Sequence, residues 1–301
     1  MRVAVFNDIP GWHGARLREA FTVRGAEIQC LSLRDCGIEL RTGNARLRLP
    51  GFGQGLPDAA FVRGIAGGTL EEVVFRLDVL HALEASGIPV YNNARAIERS
   101  VDKSLTSFLL ARAGLPTPPT LVTGDQTEAR DWVRAEVTAG HRLVCKPLFG
   151  SQGEGLVRID TDRQLPGPGA VSGVWYLQRF IETAESGASD WRLFVIGGHA
   201  VAAMRRSNTG WLTNVAQGGT CHAGVAERAT HRLAEGAAEI LGMDYAGVDL
   251  MRDRDGRWWV IEINSIPAWR GLQGVCGTDV AELLAGDLIG RLTKSPSLEV
   301  V

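Results

Sequence analysis

The sequence predicts an α/β fold, on three observations. Short apolar runs with strand character alternate with amphipathic helical stretches from the first residues onward. Two late apolar runs, Ala246-Gly-Val-Asp-Leu-Met251 and Val260-Ile-Glu-Ile-Asn264, flank a turn at Arg252-Asp-Arg-Asp-Gly256 as the strands of a hairpin would. The chain's 301 residues, 45% hydrophobic and 22% charged, suffice for two or three packed units.

The first unit, residues 1–98, opens with a strand at 3–6, a helix at 13–24 and a strand at 27–33. A strand at 58–63, a helix at 69–86 ended by Gly87, and a strand at 88–91 continue the alternation. Gly51-Phe-Gly-Gln-Gly55 carries turn chemistry rather than a phosphate loop, because a strand and not a helix follows Pro57. The second unit, 99–174, begins with a helix that Asp102 caps and that Gly114-Leu-Pro116 stops after Arg112. The Pro-rich stretch 115–119 leads to a strand at 120–122, a helix at 126–139 and a strand at 142–146 that ends in Lys146. The third unit, 175–301, holds strands at 175–177, 191–196 and 199–203, a helix from about 225 to 241, the hairpin, and a closing helix at 278–292.

Several function classes are disfavoured by composition. A net charge of −2 from well-mixed signs gives nucleic acid no basic surface to bind. No segment reaches the roughly eighteen apolar residues of a membrane span. The strand-like start runs straight into Asn7-Asp8 rather than through a signal peptide, so a cytoplasmic chain without a membrane partner is expected. The five cysteines form no Cys-x-x-Cys pair and are expected to be buried free thiols. Cys221 and His222 are neighbours on one strand and would face opposite ways, which argues against a nucleophile pair.

The chemistry lies in the hairpin and in one loop. Strand side chains alternate, so Glu262 and Asn264 share a face, and a partner strand can bring Asp249 beside them. Two carboxylates and an amide are hard oxygen donors that suit Mg²⁺, and no His or Cys is present to favour zinc. Directly after Lys146, Phe149-Gly-Ser-Gln-Gly-Glu-Gly155 offers backbone N–H groups that can close around phosphate oxygens, unless it is simply a glycine-rich turn.

Taken in order, Val101-Asp-Lys103, Cys145-Lys-Pro147, Gly150-Ser-Gln-Gly-Glu-Gly155, Leu177-Gln-Arg-Phe-Ile181, Asp190-Trp-Arg192, Asn214 with Gly218-Gly219, Ala246-Gly-Val-Asp249 and Glu262-Ile-Asn264 with Pro267 form a series. By it the chain resembles the ATP-grasp superfamily, and within it the RimK-type glutamate ligases. The resemblance implies an ATP-grasp fold behind a Rossmann-like pre-ATP-grasp domain, and ATP with Mg²⁺, for which Mn²⁺ can substitute. It implies that Lys103 and Lys146 contact ATP phosphates and that Gly150, Ser151, Gln152, Gly153 and Gly155 cover them. Gln178, Arg179 and Phe180 would lie at the adenine hinge, Asp190 at the ribose, and Asn214 near the phosphates beside the metal ligands Asp249, Glu262 and Asn264. Arg192, with Arg205, would act on the acyl-phosphate and its oxyanion.

Three departures from the RimK pattern stand out: Arg179 replaces an acidic residue, Leu212-Thr213 an Arg-Ser pair, and Gln217 a basic residue. The expected reaction is ATP-dependent amide formation through an acyl phosphate, adding L-glutamate to a small carboxylate acceptor or a peptide. A catalytically silent ATP-binding module and a ligase for a protein C-terminus or amino-group carrier protein are the alternatives. A dehydrogenase is excluded because no Gly-x-Gly-x-x-Gly follows the first strand. The segment 266–272 looks like that of RimK-type proteins tied to tetrahydromethanopterin pathways. There Trp269 or Trp211 would stack on a flat ring while Arg270 pairs with a carboxylate. A dimer or tetramer is implied by resemblance alone.

Overall fold

The computed structural model describes residues 1–8, 11–150, 152–184 and 187–294. Four parallel strands make the N-terminal sheet in the order β2-β1-β5-β6: β1 Arg2–Phe6, β2 Glu27–Leu31, β5 Ala59–Val62 and β6 Val90–Tyr91. The strand β1 is apolar and buried throughout its last four residues, as a sheet covered on both faces requires. The helix α1, Trp12–Val23, packs on one face; α2, Leu70–Ala85, packs on the other. A reciprocal cap starts α2, with Glu72 N–H donating to Thr69 Oγ1 at 3.3 Å and Thr69 N–H to the Glu72 carboxylate at 2.8 Å.

The central lobe is an antiparallel sheet in the order β7-β10-β8-β9, comprising β7 Thr120–Thr123, β8 Leu143–Lys146, β9 Val157–Ile159 and β10 Trp175–Arg179. Its helix α5, Gln126–Thr138, closes a small core of its own with Val133, Leu143, Trp175 and Leu177. The third unit is a five-stranded antiparallel sheet, β13-β12-β11-β14-β15, from β11 Ala188–Ile196, β12 His199–Asn208, β13 Thr220–Ala223, β14 Tyr245–Arg252 and β15 Trp258–Asn264. One face packs on α6, Arg228–Leu241. The other shares a core with the N-terminal sheet: Val5, Phe21 and Phe61 meet Phe194, Tyr245, Trp269 and Leu284 in one cluster. The last two come from the segment around α7, Arg270–Val275, and from α8, Val280–Lys294.

Six elements lay outside the sequence expectation. The β3 Gly37–Arg41 and β4 Asn44–Arg48 hairpin is rich in charge and largely exposed, so it lacks an apolar signal. The helix α3, Ala94–Val101, runs across the expected start of the second unit and turns at Asp102 into α4, Lys103–Arg112. There Asp102 caps α4 as expected, accepting from the Ser104 and Leu105 N–H groups at 2.9 and 3.1 Å. Short β9, edge strand β13 and two-turn α7 complete the set. All five cysteines are free, although only Cys36 and Cys145 are fully buried. No helix among the described residues is long and apolar enough to cross a membrane.

Asn92 joins the N-terminal sheet to the hairpin. It is 0% exposed and makes four hydrogen bonds. Its Nδ2 donates to the carbonyls of Tyr245 (2.7 Å) and Ser265 (2.6 Å), and its Oδ1 accepts from the N–H groups of Asp244 (2.6 Å) and Tyr245 (3.1 Å). Asn92→Ala strands four buried backbone groups, so it is expected to lower unfolding free energy by about 3 kcal/mol or more. Urea denaturation measures this; a loss below about 1 kcal/mol contradicts the latch.

Candidate functional site

Register places the charged residues of the five-stranded sheet on one face. Asp190 lies opposite Arg206, Arg192 opposite Asp249, and Asp249 opposite Glu262. Arg192 grips Asp249 with two parallel bonds of 2.7 Å. Arg206 grips Asp190 the same way, at 2.8 and 2.5 Å, and reaches Asp249 Oδ2 at 2.8 Å. Thr213 Oγ1 donates to Asp190 Oδ2 at 2.5 Å. Burial by itself would raise the Asp249 pKa, but the guanidiniums of Arg192 and Arg206 hold it below the usual carboxylate range.

Next to this face is a cleft walled by the central lobe. Lys146, at the end of β8, donates to Gln178 Oε1 at 2.7 Å, and Gln178 Nε2 is anchored on Thr120 Oγ1 at 3.0 Å and the Tyr176 hydroxyl at 3.1 Å. Burial lowers the Lys146 pKa to about 8 against the pull of Glu262, with Lys103 adding to the drop. Lys103, in the first turn of α4, donates to the Gly150 carbonyl at 2.8 Å and so ties the glycine loop to the cleft. The loop turns through left-handed conformations at Gln152, Gly153 and Gly155 (φ 59°, 77° and 70°). A Cβ on Gly153 would lie 2.7 Å from Asn214 Oδ1, so glycine there lets the loop rest on Asn214.

Lys103, Lys146, Gly150, Gly153, Gln178, Arg179, Phe180, Asn214, Asp249 and Glu262 all line this one cleft. Asn264 follows Glu262 on the same face, in the adjoining crevice. Ser151 lies outside the described residues. Four expectations need correction or refinement. Arg205 pairs in register with Trp191 and therefore points to the α6 side of the sheet; Arg206 takes the place expected of it. Asp190 lines the cleft as expected, but its Oδ2 is taken by Arg206 and Thr213 and its Oδ1 accepts a further bond from Arg206. The N–H groups of Arg179 and Phe180 go to Pro119 O (2.9 Å) and Arg142 O (2.8 Å), so among the described residues the first uncommitted N–H along the hinge is that of Ile181. Trp269 is fully buried against Trp12, His13 and Phe194 and offers no face to an acceptor ring, while Trp211 is partly buried, lines the cleft and packs against Phe180 at the hinge.

Comparison with known proteins matches two family models, a RimK-like ATP-grasp domain over residues 100–288 and a RimK pre-ATP-grasp domain over residues 1–97. The chain belongs to the RimK family of ATP-grasp ligases. It is 36% identical over 242 residues to the tetrahydromethanopterin:alpha-L-glutamate ligase of Methanocaldococcus jannaschii, covering 77% of this chain and 79% of that one. A probable alpha-L-glutamate ligase of Hahella chejuensis is 30% identical over 291 residues, covering 94% and 93%. Among solved structures, a RimK-domain ATP-grasp protein of Sphaerobacter thermophilus superposes with a TM-score of 0.70 at 24% identity over 95% of this chain and 98% of that one. The ATP-grasp ligase PsnB, solved with a minimal precursor, Mg and ADP, superposes with a TM-score of 0.71 at 22% identity over 97% and 98%. At such identities the structural likeness speaks for the ATP-grasp fold.

This RimK-family enzyme is a member of the glutamate-ligase class, which sets aside the silent-module alternative. Its departures from the family pattern have partners of their own. Arg179 makes a two-pronged bond to Glu136 of α5 at 3.0 and 3.1 Å, Thr213 holds Asp190, and Gln217 Nε2 donates to the Gln152 carbonyl of the loop at 3.4 Å. The oxygen set fits Mg²⁺. Glu262 bonds to no described side chain, and the side chain of Asn264 makes no hydrogen bond among the described residues, its Nδ2 being buried without a partner, so the carboxylate and the amide oxygen are not held by internal donors. Asp249 Oδ2 accepts from both arginines, whereas Oδ1 accepts from Arg192 alone and keeps a lone pair for a metal.

Burial lowers the Lys146 pKa to about 8, so if Lys146 contacts the nucleotide phosphates as expected, binding above that pH is coupled to uptake of a proton. The dissociation constant for ADP is expected to rise by up to about tenfold per pH unit above 8. Titration calorimetry from pH 7 to 9.5 measures it, and an affinity flat across that range contradicts the assignment.

Proposed function

We propose that the enzyme joins L-glutamate to a carboxylate of a small pterin-type cofactor, forming ADP and phosphate by way of an acyl phosphate. The convergence of Lys103, Lys146, the glycine loop and Glu262 on one cleft, with Asn264 in the adjoining crevice, carries this reading. ATP lies with its adenine at the Ile181 hinge, beside Trp211, Met251 and Ile261, and with its phosphates under the loop. The two lysines hold the terminal phosphates, and Asn214 supports the loop that covers them. Glu262 and Asn264, with Asp249, would hold Mg²⁺, which would supply positive charge to offset that of the phosphates.

A carboxylate oxygen of the acceptor attacks the γ-phosphorus, the bond to the β–γ bridging oxygen breaks, and ADP leaves with that electron pair. The amine nitrogen of glutamate then attacks the acyl carbon and gives up a proton. The tetrahedral oxyanion collapses, and phosphate leaves with the former acyl C–O pair. Arg192, fixed by Asp249, presents its remaining N–H groups toward the developing oxyanion. Closing the loop keeps water from the acyl phosphate. The pterin acceptor is favoured by the identity to tetrahydromethanopterin:alpha-L-glutamate ligases, which at 32–36% exceeds that to the broader glutamate-ligase relatives.

Glutamate-dependent turnover is expected to yield ADP and phosphate, and hydroxylamine is expected to trap the activated acid as a hydroxamate. AMP as product overturns the mechanism; activity on a protein C-terminus with none on pterin carboxylates overturns the acceptor. Glu262→Gln keeps shape while removing a charged metal ligand, so kcat is expected to fall about a thousandfold, equivalent to about 4 kcal/mol. Near-normal turnover of that variant at ordinary Mg²⁺ would contradict the metal assignment.

A further inference from the structure

The N-terminal sheet changes winding direction at β1, with β2 on one side and β5 on the other. Loops leaving the carboxyl ends of such strands diverge, and open α/β sheets take ligands in the crevice between them. Here the crevice is lined by Asp8 and His13 after β1 and by Arg63 after β5. Its far wall is the catalytic hairpin end, Glu262 to Ile266, and it shares Lys103, Gly150 and Glu262 with the nucleotide cleft. A molecule seated in the crevice therefore abuts the phosphate end of that cleft.

Arg63 is an unusual wall for this space. Its guanidinium carbon sits 5.2 Å from the centre of the buried Trp269 ring, and its Nε is buried without a hydrogen-bond partner. Its side chain forms no hydrogen bond or ion pair with any described residue. The arginines of the five-stranded sheet differ: Arg192 is already paired with Asp249, and Arg206 with Asp190 and Asp249. His13 does not supply the missing anion or compete as a cation. Its Nε2 accepts the Trp269 N–H at 3.1 Å, which leaves the ring proton on Nδ1, and burial with Arg63 and Arg270 lowers its pKa to about 4. The other charges around the crevice are Lys103 and Glu262, shared with the nucleotide cleft, Arg34 at the rim, and Asp8, which accepts the Ser32 hydroxyl; neither acid bonds to Arg63. A half-buried guanidinium, preset by an aromatic ring and lacking an acid, is completed by an incoming carboxylate, which it can hold through two N–H groups.

We propose that Arg63 anchors a substrate carboxylate in this crevice, a carboxylate other than the one being activated, and thereby selects an acidic substrate. This rests on the ligase reading above. The carboxylate belongs either to glutamate or to the acceptor, and the chemistry of recognition is the same for both. The test uses the full-length enzyme with Arg63→Met, which keeps the apolar stem over Trp269, and Arg63→Lys, which keeps the charge.

In the Met variant the KM of one carboxylate substrate is expected to rise about tenfold or more while the KM for ATP stays within about twofold. Arg63→Lys is expected to recover part of the loss. A rise confined to glutamate places its carboxylate on Arg63; a rise confined to the acceptor places the acceptor's there. Unchanged KM values for both substrates overturn the assignment, as does loss of ADP binding in the Met variant, which would make Arg63 a structural strut. Wild-type turnover with a different acidic amino acid overturns the glutamate reading alone, and the same comparison then applies to that amino acid.

Discussion

Two aspartates and two arginines alternate across three adjacent strands, and almost none of their surface reaches water. Removing one member of such a buried set leaves an uncompensated charge, at about 3–5 kcal/mol. The chain therefore has strong reason to keep β11, β12 and β14 in one register. That register also puts Arg192 and Glu262 on either side of Asp249. Order at the reacting end is thus a by-product of charge pairing inside the sheet. The loop and the lysines of the central lobe approach a surface that is already fixed.

Much of this site was legible because strand geometry is simple. Glu262 and Asn264 are two apart, so they had to share a face, and a hairpin partner had to bring an equivalent position opposite. The pairing includes a bulge between Asp249 and Leu250 that leaves Ile261 as the extra residue, but it falls on the turn side of the ligands and does not disturb them. On β12 the same rule misleads. A second bulge, opposite Phe194 and Val195, adds a residue near Val201, so alternation counted from the start of β12 exchanges the faces of Arg205 and Arg206. No local pattern in the sequence announces that extra residue.

Other misses have different causes. Trp269 is adjacent to exposed Arg270 and near the hairpin, which suggests a ligand platform, yet tertiary packing draws it under Arg63 and His13. The hinge residues were found by pattern, but which of their N–H groups remain available depends on Pro119 and Arg142, far away in sequence. Arg63 carried no signal at all. An arginine closing a strand is ordinary until the structure shows that no acid meets it.

The family models divide the chain between residues 97 and 100, within the helix α3 that spans Ala94–Val101. The packing does not divide there. One apolar cluster runs from β1, α1 and β5 into β11, β14 and α8, and Asn92 fastens the same two parts by their backbones. The central lobe has a core to itself, and the N-terminal sheet keeps another on its α2 face, so it is the α1 face that is shared. For protein engineering, the sequence module and the physical module are consequently different objects. A chimera that borrows the first hundred or so residues of a relative to change its acceptor would inherit half of a hydrophobic interior. To graft cleanly, it must carry the matching faces of β11, β14 and α8 along with it.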